Sequence, residues 1–217
     1  HAADPALDGT RATWPLAGAV AGSASLVAAL AGMASITEEQ YLEGVGVVDD
    51  LERGGYHVSF VIGLIGVAAL FIAAAGWRRW AQHRAADDLA AGTIATALSA
   101  TATVNIIGYS LAGALALYLD GGLDGGTMSD ESLFVNFAYL DFGTLFGWWG
   151  ATLAAGCVAF LAFRRRILPR WMGITSVVAV AIPVGLAVFT SLPGMPGFIL
   201  PLWLVAISVG MVFSRTA

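Results

Sequence analysis

Three polar residues recur at every fourth position of one long apolar stretch: Thr101, Asn105 and Tyr109. This spacing places their side chains on one face of a helix. A carboxamide in hydrocarbon has to find hydrogen-bond partners, so we expect this face to point into a helix bundle. An interhelical hydrogen bond is the structural interpretation of Asn105. Binding of a ligand or an ion by the same three residues is the functional alternative.

Two titratable residues are expected near the membrane surface. His57 begins an apolar stretch next to Tyr56, where anchoring at the interface is the structural interpretation. Because histidine titrates near neutral pH, a proton-sensitive pair with Asp141 or Glu52 is the alternative. About twenty residues of hydrocarbon core, counted back from Arg164, end just after Asp141. We therefore expect Asp141 to be partly hydrated and ionised at the outer edge of the membrane.

The sequence lacks the motifs that carry most known catalytic and cofactor chemistry. There is no HExxH, CxxC, P-loop or GxSxG pattern, and Cys157 is the single cysteine. All ten basic residues are arginine, so no lysine can form a Schiff base. Of the three histidines only His57 lies near a membrane helix, which argues against a haem held by two histidines. The sequence therefore predicts no catalytic residue, no cofactor and no metal ligand.

The composition indicates a membrane protein. Hydrophobic residues make up 58% of the 217 residues and charged residues only 12%, against about 25% charged in soluble domains. Since one crossing needs about 20 apolar residues, the sequence predicts an all-α polytopic membrane protein that forms one domain over residues 1–217. The six predicted helices cover about 14–36, 56–77, 93–119, 142–163, 171–189 and 198–213.

The charges predict the orientation of the helices. Nine of the ten arginines fall on one side of the predicted helices, and only Arg53 falls on the other. Because positive loops stay in the cytoplasm, both termini are predicted to be cytoplasmic. Eleven of the fifteen acidic residues fall in the two long outer loops.

Both outer loops carry signals for short interfacial helices. Thr37 and Gln40 have the spacing of a capping box, which predicts a short surface helix that ends near Gly54 and Gly55. Ser129 can cap a second short helix, with acidic residues in its first turn.

Small residues predict how the helices pack. They line one face of the first predicted helix (Gly18, Gly22, Ser25, Ala29, Gly32) and of the fourth (Gly143, Gly147, Gly150, Ala154), which favours close helix contacts. The third predicted helix has a more polar seam of Thr96, Ser99, Thr103 and Ser110. Pro183 predicts a kink in the fifth. A solute path along the polar seam is the functional alternative to simple packing.

One region of the chain resembles a known family. Leu133, Phe134 and Asn136 enter the fourth helix, and Pro169, Arg170 and Gly173 begin the fifth after a short basic loop. In these motifs and in the order of its helices the chain resembles a bacterial family of six-helix membrane proteins to which no function is assigned. The lysine-free composition, rich in alanine and glycine, is similar to that of GC-rich actinobacteria. The resemblance implies a fold and no activity.

The leading functional interpretation is a non-enzymatic accessory or interaction subunit of the bacterial plasma membrane. Its partners would be membrane lipids and a protein in the membrane or at the acidic outer face, and it could form a homo-oligomer; nucleic acid is not expected. A transporter or binding protein for a small solute or lipid, using the polar seam, is the alternative. A membrane enzyme is the third, with His57, Asp141 and Asn105 as its candidate residues.

Overall fold

The structure is a computed structural model that describes residues 13–33 and 36–213. At Glu38, Tyr41, Asp141 and Phe142 it describes the helical backbone and not the side chain. Within these ranges the chain forms helices and turns and no strand. Six helical segments are long and apolar enough to cross a membrane. The predicted all-α six-helix bundle is therefore confirmed.

The membrane-crossing segments follow one another in chain order, with two short helices between them at one end of the bundle. The helices are α1 (Pro15–Gly32), α2 (Glu38–Leu42), α3 (Arg53–Arg84), α4 (Leu89–Tyr118), α5 (Asp130–Thr144), α6 (Trp149–Phe160), α7 (Arg170–Thr190) and α8 (Pro196–Phe213). Five of the crossing segments are α1, α3, α4, α7 and α8, and the sixth, Phe146–Arg165, is built around α6.

The second crossing helix is longer at both ends than predicted. It extends to Arg84 because Trp77 and Trp80 are buried beyond the apolar stretch, stacked edge to face with centroids 5.4 Å apart. At its start, Gly54 and Gly55 belong to the first turn of α3 and do not end a surface helix. Gly55 lies against the carbonyl group of Ala31 on α1, where a side chain would not fit.

The fourth predicted helix, over about 142–163, is interrupted near its start, which the sequence did not predict. The α5 helix stops at Thr144, a 3₁₀ turn covers Phe146–Trp148, and α6 follows. A π turn over Leu161–Arg165 ends the segment, and Arg166 then adopts a left-handed conformation with φ 58°. The break lies where Leu145 contacts Gly197 at the start of α8.

The small residues of α1 pack as predicted. A side chain at Gly18 would collide with Ser208, and one at Gly22 with the carbonyl oxygen of Pro201, so α1 lies directly against the backbone of α8. Further along, Ser25 faces Gly66 on α3. The close approach maximises van der Waals contact, the main attraction between helices in lipid.

The centre of the bundle is formed by α3 and α4, which share the most extensive contact of any two helices. The α7 helix lies at the periphery, since a smaller share of it is buried than of the other crossing segments. One ion pair and the short helices outside the crossing segments mark two distinct ends of the bundle. We call the end that holds Arg84, Asp88 and Arg165 the arginine end, and the opposite end, which holds α2 and α5, the acidic end.

The two long loops at the acidic end fold into a cap. The capping box is confirmed, since the Thr37 amide donates to Gln40 Oε1 (2.7 Å) and the Gln40 amide donates to Thr37 Oγ1 (3.3 Å). A 3₁₀ segment over Gly44–Asp50 packs on α5. Beneath it, a second apolar cluster joins residues of this segment to α4 and α5, among them Val48, Leu115 and Leu133. The cap is thus a packed structure.

Candidate functional site

Thr101 and Asn105 lie together in the interior, on the face of α4 that is turned toward α6 and the 3₁₀ turn before it. Their side chains are 0% and 1% exposed. Asn105 Nδ2 donates to the Thr101 carbonyl group at 2.9 Å, and Thr101 Oγ1 donates to the carbonyl group of Ala97 at 3.1 Å. Gly147 lies over Asn105 and Gly150 over Thr101, so the glycine face predicted on the fourth helix packs on the polar face predicted on the third.

The Asn105 carboxamide has one unused group. Its Oδ1 atom is buried and has no hydrogen-bond partner among the described residues. A Cβ atom at Gly147 would lie 3.1 Å from Asn105 Nδ2, so the backbone of the fourth segment closes this side of the amide. The observed bonds of Asn105 and Thr101 are made within α4, and not between helices as the structural interpretation expected.

Tyr109 turns away from this pair. Its ring packs on Gly63 of α3, and its hydroxyl group is buried without a hydrogen bond of good geometry in the described part of the chain. The Ser25 side chain of α1 is its polar neighbour. Eight residues along an α-helix correspond to a rotation of about 80°, which separates Tyr109 from Thr101. The three residues therefore do not converge on a single ligand pocket.

His57 and Asp141 both belong to the acidic end. His57 is exposed near the start of α3, and it forms no ion pair with Glu52 within the ranges that the structure describes. Asp141 lies near the end of α5, one turn before the break in the helix. The side chain of Asp141 lies outside the described residues, so its ionisation and its pairing with His57 stay predictions.

The polar seam of α4 faces outward. Thr96, Thr103 and Ser110 are exposed, and Ser99 is half-buried. The hydroxyl groups of Ser99 and Thr103 donate to carbonyl groups of their own helix at 2.9 and 3.0 Å, which satisfies them in lipid. The seam therefore does not line the bundle interior, and a solute path along it stays an untested alternative. A repeat of hydroxyl residues does not reveal which face of a helix is buried.

The acidic end presents unneutralised charge. All nine acidic side chains that the structure describes there are exposed (Glu39, Glu43, Asp49, Asp50, Glu52, Asp120, Asp124, Asp130, Glu131). Arg53, the single arginine that the structure describes at this end, donates through Nε to the carbonyl group of Ala116 at 2.6 Å. The backbone N–H of Glu131 and the Ser129 hydroxyl group lower the pKa of the Glu131 carboxyl, which keeps it ionised.

A polar cavity of about 230 Å³ opens beneath the cap. Gln40 and Asp50 line it, joined by a 2.8 Å hydrogen bond from Nε2 to Oδ2, together with Glu52. Next to it, Ser59 and Thr144 line a cavity of about 10 Å³, which is room for about one water molecule. The Ser59 hydroxyl group is buried and has no protein partner in the described ranges, so such a water would satisfy it.

The arginine end holds a charged pair that the sequence reasoning missed. Arg165 Nε donates to Asp88 Oδ2 at 2.7 Å, and the Arg165 guanidinium lies 5.7 Å from the centroid of the Phe160 ring. Asp88 Oδ1 accepts the Ala90 amide (2.9 Å) and caps α4. The aspartate that precedes the apolar run of α4 is a recognisable capping signal. Its pairing with Arg165, 77 positions along the chain, cannot be predicted from the local sequence pattern.

Comparison of the chain with protein-family models, with curated proteins and with solved structures finds no match. The resemblance carried by Asn136 and Pro169 therefore stays a prediction. What is established is an integral membrane protein with six crossing helices, an exposed acidic cap and a paired arginine end.

Proposed function

We propose that this chain is a non-enzymatic accessory or interaction subunit of a bacterial plasma membrane, with both termini in the cytoplasm, and that its acidic cap binds a partner protein. The observation that carries the proposal is the cap itself. It is held by the capping box and by an apolar cluster, and it carries nine exposed carboxylates.

The charge of the cap specifies the chemistry of the partner. No three of the described acidic side chains come together in the geometry that a metal ion needs. Carboxylates spread over α2, the 3₁₀ segment and α5 suit an extended basic surface better than a single ion. Such complementarity raises the association rate and selects the partner, and it weakens as salt screens the charges.

The interior supports an interaction subunit over a transporter. Gly143 lies directly against Gly108, and the polar pair of Thr101 and Asn105 is covered by Gly147 and Gly150. The hydroxyl seam of α4 faces outward. A solute path would have to separate helices that touch through their backbones.

The test is native purification from the source membrane, with mass spectrometry of the proteins and small molecules that remain bound. We expect a stoichiometric partner that has a basic face. Neutralising the cap in the variant Glu39→Gln/Glu43→Gln/Asp120→Asn/Asp124→Asn should reduce the retained partner severalfold, and high salt should do the same.

Asp87→Asn at the opposite end is the control, and it should retain the partner fully. The cap variant should keep the melting temperature of the wild type, because these four side chains are exposed. A monomer that carries one small molecule and no protein would overturn the proposal. A partner retained equally by the cap variant would show that the binding surface lies elsewhere.

A further inference from the structure

An open groove runs along α6 at the arginine end, and it has a volume of about 490 Å³. Its apolar lining comes from Leu153, Gly156, Cys157 and Phe160 of α6, and from Leu89 at the start of α4. Leu153 and Phe160 are 55% and 43% exposed, so both form edges of the groove that are open to the surroundings of the bundle.

Gly156 gives the groove its depth. A Cβ atom at this position would have no atom within 4 Å, whereas one at Gly143 or Gly150 would collide with α4. Gly156 therefore does not serve helix packing. The absence of its side chain leaves a channel along the surface of α6.

The length of the groove matches one leaflet of a bilayer. Twelve residues separate Leu153 from Arg165, which at about 1.5 Å per residue corresponds to about 18 Å. Half of the hydrocarbon core is about 15 Å thick. The groove thus extends from the level of the lipid headgroups to about the middle of the membrane, which is the reach of one acyl chain.

The rim of the groove carries both signs of charge. Asp88 uses one oxygen to cap α4 and the other to bind Arg165, so its charge is satisfied within the protein. The Asp87 carboxylate is exposed on the rim, and Arg84 lies in an adjoining cavity of about 460 Å³ that shares Asp87 and Arg165 with the groove. Only the Nε atom of Arg165 is bonded to Asp88, so its two terminal nitrogens are available to bind phosphate.

We propose that this groove binds one phospholipid with a zwitterionic primary-amine headgroup, that is, a phosphatidylethanolamine. One acyl chain lies over Gly156, the phosphate contacts Arg84 and Arg165, and the ammonium group donates hydrogen bonds to Asp87. A choline headgroup has no N–H to donate, and a glycerol headgroup has hydroxyl donors but no positive charge to neutralise Asp87. The inference is independent of the partner proposed for the acidic cap.

The test uses the full chain, delipidated in detergent and titrated with phosphatidylethanolamine, phosphatidylcholine or phosphatidylglycerol of identical acyl chains, with the bound lipid counted by native mass spectrometry. We expect one phosphatidylethanolamine to bind at least about fivefold more tightly than either of the other lipids. This factor corresponds to one exposed ion pair at the upper end of the energies measured for such pairs. Asp87→Asn should remove this preference and leave the binding of phosphatidylcholine unchanged.

Gly156→Leu fills the groove and should weaken phosphatidylethanolamine binding severalfold, since the acyl chain loses its van der Waals contact with α6. Gly185→Leu on α7 is the matched control, because Gly185 is also a half-exposed helical glycine with no atom near its Cβ position. Both variants should fold, as their melting temperatures will show. Equal affinity for the three lipids, or equal binding by the two leucine variants, would overturn the proposal.

Discussion

The two ends of the bundle use charge and glycine in opposite ways. At the acidic end the carboxylates point outward from a packed cap, and Gly143 brings α5 against the backbone of α4 at Gly108. At the arginine end the Asp88 carboxylate joins two helical segments by binding Arg165, and a Cβ atom at Gly156 would have no atom within 4 Å. The acidic end displays exposed carboxylates on a packed cap, whereas the arginine end pairs a carboxylate next to an open groove. The comparison teaches that a glycine in a crossing helix can mark either a contact or a gap.

The largest expected effect comes from a substitution at Gly143, the glycine that lies in a contact between two helices. Gly143→Leu places a side chain inside a contact between two backbones, so α4 and α5 must separate. We expect a loss of at least about 3 kcal/mol in the free energy of unfolding, seen as a large fall in melting temperature in detergent. Gly156→Leu is the control and should melt close to the wild type; equal losses in both variants would contradict the assignment of one glycine to a contact and the other to a gap.

The next effect tests the pairing at the arginine end. Asp88→Ala removes both the cap of α4 and the ion pair with Arg165, and we expect it to cost about 1–2 kcal/mol. Arg165→Ala removes only the ion pair and should cost at most about 1 kcal/mol, because the pair is partly exposed to solvent. Chemical or thermal unfolding measures both changes.

Asp87→Ala serves as the neighbour control for Asp88, and it should change stability by no more than about 0.5 kcal/mol. If Asp87→Ala cost as much as Asp88→Ala, the cap and the ion pair could not be the cause.

A smaller effect tests the order of the acidic cap. Thr37→Ala removes one hydrogen bond of the capping box and should destabilise α2 by about 0.5–1 kcal/mol. Because α2 is short and lies outside the membrane segments, we expect faster amide exchange over residues 38–42 without a change in melting temperature. Thr127→Ala, in the loop between α4 and α5, should leave this exchange unchanged. Fast exchange of α2 already in the wild type would argue against a folded cap.

The smallest expected effect has the opposite sign. Gly156→Ala adds a methyl group where no atom interferes and improves helix propensity, so we expect a gain of about 0.5–1 kcal/mol. Gly185→Ala should give a gain of similar size. A destabilising Gly156→Ala would mean that other atoms of the chain occupy the groove.

The sequence was most informative where a single segment decides the structure. Hydropathy placed the six crossing helices, and the spacing of Thr37 and Gln40 located the start of α2. The break between α5 and α6 was not predictable, because the apolar pattern continues through Leu145 and the interruption depends on contacts with other helices.

The candidate site was predicted less completely than the fold. The periodicity of Thr101 and Asn105 correctly indicated a buried polar face, since both side chains are almost fully covered. It could not show that Tyr109 faces α3, or that the hydroxyl seam through Thr103 faces outward. The pair of Asp88 and Arg165 depends on two helices meeting at one end of the bundle, which no local pattern contains.

The π turn at Leu161–Arg165 has a consequence for how this chain can change in evolution. A π turn is equivalent to one residue inserted into an α-helix, and one residue corresponds to a rotation of about 100°. Because the wider turn already takes up that rotation, deleting one residue before Arg164 would return the turn to α-helical geometry and leave the following side chains in their present directions. Arg165 would then still face Asp88, so the turn lets the chain tolerate a one-residue change in length next to the groove.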